Sequence, residues 1–169
     1  MEFHFETTYT PQSMAVMAKA LRKTVRKKHS RRSHTFGVIV AVTGILLGLS
    51  AGEINFRLVL TLLAVAAIVL ALIFEDRLNG YIAYKRMLPG MTSSSVRFHE
   101  EGYHSETPVG ASDFPYGTIQ QLAEHKDYFI FIFSGSHAQL YDKRTIRGGS
   151  CDDFKEFLFQ KTGIHFTSI

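Results

Sequence analysis

Two long apolar runs constrain this 169-residue chain more than any other feature of its sequence. Residues 35–51 and 58–74 contain no acidic or basic side chain, and Phe56 extends the second run across Arg57. A helix needs about 20 mostly apolar residues to cross a bilayer, so each run approaches the length of one span. The alternative is a buried helical hairpin, but so small a domain has too little interior for both runs. The sequence therefore predicts a transmembrane helical hairpin over residues 35–74.

The distribution of positive charge predicts how this hairpin is oriented. Eight lysine and arginine residues fall between Lys19 and Arg32, directly before the first apolar run. Residues 75–93 add three more, whereas the short connector between the runs contains only Arg57. Because loops rich in lysine and arginine stay in the cytoplasm, we expect a multi-pass protein of the cell membrane with both termini cytoplasmic. A cleaved signal peptide is disfavoured, since the charged region is too long and a second apolar run follows.

Small residues recur at helical spacing in both apolar runs. They are Gly37, Ala41, Gly44 and Gly48 in the first run, Gly52 directly after it, and Ala64, Ala67 and Ala71 in the second run. In lipid, close backbone approach through small residues is a main source of attraction between helices. The pattern predicts helix packing within the hairpin, and a homodimer through the glycine face remains an alternative. Neither run carries a charged residue, which argues against an ion or proton path.

The segment before the first run predicts a strand followed by a basic amphipathic helix. Residues 2–9 alternate in side-chain character, as in a half-buried strand, and Thr10-Pro11 provides a helix N-cap and a first-turn proline. The basic face of the helix comprises Lys19, Arg22, Lys23, Arg26 and Lys27. These five residues are predicted to contact lipid headgroups, at about 1 kcal/mol per charge near an anionic surface. The alternative is a solvated helix whose lysines only set the topology.

The residues after the second run predict a short helix and then a β-rich domain. The helical pattern continues to Leu88 and ends at Pro89-Gly90. Strands are predicted at Val96–His99, Tyr103–Glu106, Phe114–Glu124, Tyr128–Phe133 and Ala138–Tyr141. Ser150 is expected to cap a final helix, with Asp153 at its third position, and the apolar face of that helix is predicted to close the sheet.

This order of elements resembles that of the YcxB-like bacterial membrane proteins. The matching motifs are Phe114-Pro-Tyr-Gly-Thr-Ile119, Asp127-Tyr-Phe-Ile-Phe131, Tyr141-Asp-Lys-Arg144 and Asp153-Phe-Lys-Glu-Phe157. The resemblance extends over nearly the whole chain and implies a pleckstrin-homology-like domain, a bent β-sheet closed by a C-terminal helix. It implies no catalytic residues, because the motifs are patterns of strands and helices.

The predicted fold class is thus α+β, a transmembrane hairpin joined to a cytoplasmic pleckstrin-homology-like domain. Four parts are expected. They are an N-terminal strand and basic helix over residues 1–34, the hairpin over 35–74, a juxtamembrane helix and linker over 75–93, and the cytoplasmic domain over 94–169.

Several short motifs resemble reactive sites but lack a feature that the chemistry requires. His99 and His104 are separated by one residue more than the zinc-protease motif allows on a helix face. Residues 134–137 contain serine and histidine without an orienting acid. Cys151 precedes two aspartates that oppose a thiolate. We therefore expect no metal site, no cofactor and no catalytic residues.

The leading functional hypothesis is a membrane-anchored, non-enzymatic interaction or regulatory module. Its expected partners are membrane lipids and either an unidentified protein or a second copy of the chain. Nucleic acid is disfavoured, because the basic stretch has no interleaved aromatic residues for base stacking. The alternative is a membrane enzyme or stress-related factor acting on lipid.

Overall fold

The protein consists of helices and two four-stranded sheets in a computed structural model that describes residues 2–50 and 56–169. The helices are α1 (Pro11–Lys23), α2 (Lys27–Ser50), α3 (Phe56–Ile73), α4 (Glu75–Lys85) and α5 (Cys151–Thr162). The strands are β1 (Phe3–Thr8), β2 (Ser93–Phe98), β3 (Gly102–Thr107), β4 (Gly110–Pro115), β5 (Gln121–Glu124), β6 (Tyr128–Ile132), β7 (Ala138–Asp142) and β8 (Phe166–Ser168). The predicted α+β class is confirmed.

The first sheet contains strands from the sequence before and after the helical region. Its strand order is β1-β2-β3-β4, and β1 pairs antiparallel with β2, with Phe3 opposite Phe98 and Thr8 opposite Ser93. Helices α1 to α4 are therefore an insertion between two neighbouring strands. The predicted division between residues 1–34 and 94–169 separates strands that belong to one sheet.

The second sheet has the order β7-β6-β5-β8, with β8 parallel to β5. The prediction of one strand from Phe114 to Glu124 is wrong, because a 3-10 turn at Tyr116–Thr118 separates β4 from β5. The Tyr116 side chain is buried, and its hydroxyl donates a hydrogen bond of 2.6 Å to the carbonyl of His99. This anchor fixes the corner at which the chain passes from one sheet to the other.

Aromatic side chains fill the space between the sheets, and α5 covers it. The ring centroid of Phe154 lies 4.7 Å from that of Phe5 and 4.9 Å from that of Phe98. Helix α5 begins at a capping box in which Ser150 and Asp153 bond each other's backbone amides, as the sequence predicts. Because Phe5 comes from β1, the core needs residues from both sides of the helical insertion.

Helix α1 packs against the folded domain. Thr10 caps it and Pro11 is its first residue, as predicted. Ala20 and Leu21 are buried with residues of the second sheet, namely Ala123, Ile130, Ile132 and Leu140. The apolar face of α1 thus covers the outside of this sheet, and the helix belongs to the domain.

One helix within the described residues, α3, is long and apolar enough to cross a membrane. This helix indicates membrane association. The other predicted span lies in α2, which begins at Lys27, so the predicted boundary between residues 34 and 35 falls inside one helix. Gly52 and most of the predicted connector lie outside the described residues. The hairpin of two membrane spans stays a prediction.

Candidate functional site

Helices α1 and α4 are in direct backbone contact beside the start of the insertion. A Cβ atom at Gly80 of α4 would lie 2.3 Å from the amide nitrogen of Ala15, so a side chain larger than hydrogen does not fit there. At the same interface, Arg22 Nε and Nη2 each donate a 2.6 Å hydrogen bond to one carboxylate oxygen of Asp76. This pairing raises the pKa of Arg22. The two helices therefore hold the ends of the insertion together.

A basic pocket of about 540 Å³ lies beside this contact, between the end of α1, the start of α2 and β8. Four of its lining residues are basic, namely Arg22, Lys23, Lys27 and Arg31. Four others carry hydroxyl groups, namely Ser30, Thr35, Thr167 and Ser168. His34 also lines the pocket, and its Nε2 lies 2.6 Å from Oε2 of Glu75. Cations and hydroxyl donors in one concave site are the groups that bind a phosphate or another oxyanion.

The structure divides the five predicted headgroup residues into two groups. Lys23 and Lys27 line the basic pocket and are exposed. Arg22 lines it as well, but its guanidinium is already paired with Asp76. Arg26 instead donates to the carbonyl of Gly135. Lys19 lies near His125, whose pKa is lowered by burial and then by the charge of Lys19. The predicted basic helix is also divided, because α1 ends at Lys23 and Lys27 begins α2. Its basic residues are therefore only partly available to lipid.

Sequence reasoning missed the residues that complete the pocket. Arg31 lies one turn after Lys27 on α2, and that spacing could have identified it. Thr167 and Ser168 belong to β8, and no local pattern places that strand beside α2.

The predicted helix-packing residues also differ in their placement. Gly44 and Gly48 of α2 face α3, where added Cβ atoms would lie 2.9 Å from Val65 Cγ2 and 2.8 Å from Leu58 Cδ1. Ala64, Ala67 and Ala71 are exposed. The α3 side chains that the glycines meet are the larger Leu58, Thr61, Val65 and Leu72. The glycines of α2 therefore pack against bulky side chains of α3. The part of the exposed alanines in helix packing stays a prediction.

The histidines of the zinc-like motif have separate partners. His99 Nδ1 lies 3.3 Å from Oε1 of Glu2, and His104 Nδ1 lies 2.7 Å from Oδ1 of Asp113. Within residues 2–50 and 56–169, no group of three or more His, Cys, Asp or Glu side chains could hold a metal ion. This finding concerns the described residues alone.

These features define an α+β protein whose sequence carries an apolar helix, long enough to cross a membrane, between two neighbouring strands of one sheet. The model of the family described as YcxB-like protein matches residues 98–158, from the end of β2 into α5. The resemblance predicted from the sequence is thus confirmed over residues 98–158, which are similar to that family. No curated protein and no solved structure matches the chain.

Proposed function

We propose that this protein is a membrane-anchored, non-enzymatic interaction or regulatory module whose termini are both cytoplasmic. The observation that carries the proposal is the place of the helical insertion, between strands β1 and β2 that pair along their full length. Because the sheet holds both ends of the insertion at one edge, α2 and α3 leave and re-enter the same domain. A chain that crosses a membrane in this way returns to the side from which it started.

The exposed surface of α2 supports a second membrane span beside α3. Phe36, Leu46 and Leu47 are 69%, 61% and 66% exposed. A contiguous exposed apolar surface of this kind is unfavourable in water and favourable against lipid. The eight basic residues from Lys19 to Arg32 lie in the last turns of α1, the turn after it and the first turns of α2, which favours a cytoplasmic domain.

The order of the strands supports a pleckstrin-homology-like fold. Strands β1 to β4 form one sheet, β5 to β7 form most of the second, and α5 follows and covers the core. In this interpretation the helical region is an insertion after the first strand. A fold does not by itself define a function, so the argument for an interaction module rests on the surface of the domain.

The surface feature that favours a protein partner is the edge strand β4. It is the last strand of the first sheet, and five of its six residues are exposed. An exposed edge presents backbone N–H and C=O groups that an extended segment of another chain can pair with. A second copy of the protein or a different protein could supply that segment.

Membrane topology and partner capture test this proposal together. Reporter fusions after residue 169 and before residue 2 are expected to be active only as cytoplasmic reporters. Cross-linking in native membranes, followed by purification in mild detergent, is expected to recover a stoichiometric partner or an oligomer. An external C-terminus, or a monomer without any partner, would contradict the proposal.

A membrane enzyme that acts on lipid is the second candidate, and one feature of the basic pocket favours it. Ser30 and His34 both line the pocket, and His34 contacts Glu75. A serine, a histidine and a carboxylate are the components of a nucleophilic hydrolase. Lipid turnover by the purified protein that is lost in Ser30→Ala would establish this candidate over the first.

A further inference from the structure

An apolar groove of about 440 Å³ runs along α2 and α3 beside the basic pocket. Val38, Ala41, Val42 and Ile45 of α2 line it together with Val69 and Leu72 of α3. His34 lines both the groove and the basic pocket, so the two cavities meet at this residue. Their combined surface is cationic and hydroxyl-bearing at one end and hydrocarbon at the other.

One face of α2 carries this change in chemistry. Lys27, Arg31, His34, Val38, Ala41 and Ile45 succeed one another at intervals of four and three residues, which places them on a single helix face. The charged residues come first and the apolar residues follow, with His34 between them. A lipid at the surface of a membrane has the same order of groups along its length.

We infer that the basic pocket and the apolar groove form one binding site for an anionic phospholipid. The phosphate binds at Lys27 and Arg31, with the hydroxyls of Ser30 and Ser168 as further donors, and one acyl chain lies along Val38 and Ile45. The inference rests on the proposed membrane anchoring and names the ligand of that membrane surface.

The charges around the site favour an anionic lipid over a zwitterionic one. Two acids beside the site are already engaged, because Asp76 binds Arg22 and Glu75 contacts Arg22 and His34. The exposed cations Lys23, Lys27 and Arg31 have no comparable carboxylate partner among the described contacts. A phosphodiester supplies the missing negative charge, whereas the ammonium group of a choline headgroup would be repelled.

The groove distinguishes a phospholipid from a free anion. Inorganic phosphate could occupy the basic pocket but would leave the groove uncovered. An acyl chain fills the groove and removes it from contact with other lipids, which adds packing to the electrostatic attraction. The proposal therefore requires both halves of the site.

The charged half can be tested with two variants of the full-length protein. The first is Lys27→Gln with Arg31→Gln, which removes two charges from the pocket. The matched control is Lys28→Gln with Arg32→Gln, which removes two exposed charges from the same turns of α2 outside the pocket. Native mass spectrometry of protein from nanodiscs of equal phosphatidylglycerol and phosphatidylcholine then measures the retained lipid.

We expect the pocket variant to lose phosphatidylglycerol at least about fivefold, since two cations that face the headgroup are removed. The control is expected to retain it within about twofold, because charges outside the pocket act only through the screened surface potential. Equal losses in the two variants would overturn the proposal in favour of general surface attraction. The proposed function would survive that result if both variants remained in the membrane fraction.

The apolar half has its own pair of variants. Val42→Trp fills the groove, and Ile39→Trp adds the same side chain at an exposed position outside it. Only Val42→Trp is expected to reduce phosphatidylglycerol retention, and equal retention in the two variants would overturn the groove as the acyl-chain site. Circular dichroism confirms that each variant is folded.

A second experiment separates a phospholipid from a free anion. In detergent, phosphatidylglycerol is expected to raise the Tm of the protein and inorganic phosphate is not. An equal rise in Tm with both would overturn the proposal in favour of a free-anion site.

Discussion

At the scale of single residues, close approach and burial decide which substitutions this fold tolerates. Gly80 illustrates close approach, because the contact between two backbones leaves no room for a side chain there. His125 illustrates burial, because its buried Nδ1 has no hydrogen-bond partner among the described residues.

Gly80→Ala is expected to destabilise the protein by about 1–3 kcal/mol, the usual range for overpacking. The added Cβ would lie 2.3 Å from the amide nitrogen of Ala15, and backbone atoms cannot move aside as a flexible side chain can. Gly117→Ala is the control, because its Cβ would meet no atom within 4 Å. Thermal unfolding in detergent measures the difference, and equal Tm values for the two variants would contradict the close contact of α1 and α4.

His125 is expected to make stability depend on pH. Burial and the charge of Lys19 lower its pKa from the ordinary value of 6.5, and its Nδ1 is buried. The unfolded state therefore binds a proton at a higher pH than the folded state does. The contribution of this residue to stability is complete above pH 6.5 and is lost as the pH falls through the lowered pKa.

Melting curves at pH 7.5 and pH 5 check this expectation. The loss of Tm on acidification is expected to be smaller in His125→Gln than in the unmodified protein. His29→Gln is the control, because His29 is exposed. An unchanged loss of Tm in His125→Gln would show that other groups control the acid sensitivity.

At the scale of elements, the packing of α1 on α4 connects the domain to the apolar helices. The pair Arg22 and Asp76 lies at the end of this contact, with side chains 27% and 22% exposed. Its two parallel hydrogen bonds fix the orientation of the helices more strongly than one bond would. A partly buried pair of this geometry is worth more than a pair at the surface.

A double-mutant cycle on Arg22→Ala and Asp76→Ala is expected to give a coupling energy of about 1–2 kcal/mol. The comparison is a cycle on Arg147 and Glu6, whose side chains are 71% and 56% exposed. That pair is expected to couple by less than about 0.5 kcal/mol, as solvated ion pairs do. Unfolding of both sets under the same conditions provides the measurement, and similar coupling in the two pairs would argue against a special role for α1 and α4.

At the scale of the whole molecule, the helical region is an insertion in a domain that is continuous in space. Arg22 and Asp76 are in contact although α2 and α3 lie between them in sequence. If α2 and α3 were removed, the end of α1 and the start of α4 would therefore lie close together. The core itself does not contain the apolar helices, since Phe5, Phe98 and Phe154 meet without them.

Replacement of residues 27–74 by a short Gly/Ser linker is expected to give a folded, soluble domain. Residues 94–169 alone are the control, because they lack β1 and α1 and would expose Ala123, Ile130 and Leu140. We expect a cooperative thermal transition and a soluble protein only for the first chain. If residues 94–169 folded equally well, β1 and α1 would not be part of the domain.

The sequence alone predicted most of the elements and part of the candidate site. The strand pair β2 and β3, the caps of α1 and α5, and the lysines of the pocket follow from side chains a few residues apart. The corner at Tyr116 was not predicted, because its buried hydroxyl bonds a residue of another strand. Spacing placed the three alanines on one face of α3, but spacing alone does not show which face meets the neighbouring helix.

Residue composition and local spacing determined the apolar runs, the positive charge beside the first of them and the YcxB-like pattern of strands. Only the tertiary structure decided that β1 completes a sheet with strands beyond the insertion, that Arg22 pairs with Asp76, and that β8 closes a pocket with α2. The reason is that alternation and helical spacing depend on neighbours along the chain. Pairings between distant segments depend instead on which combination buries the most apolar surface while satisfying the backbone.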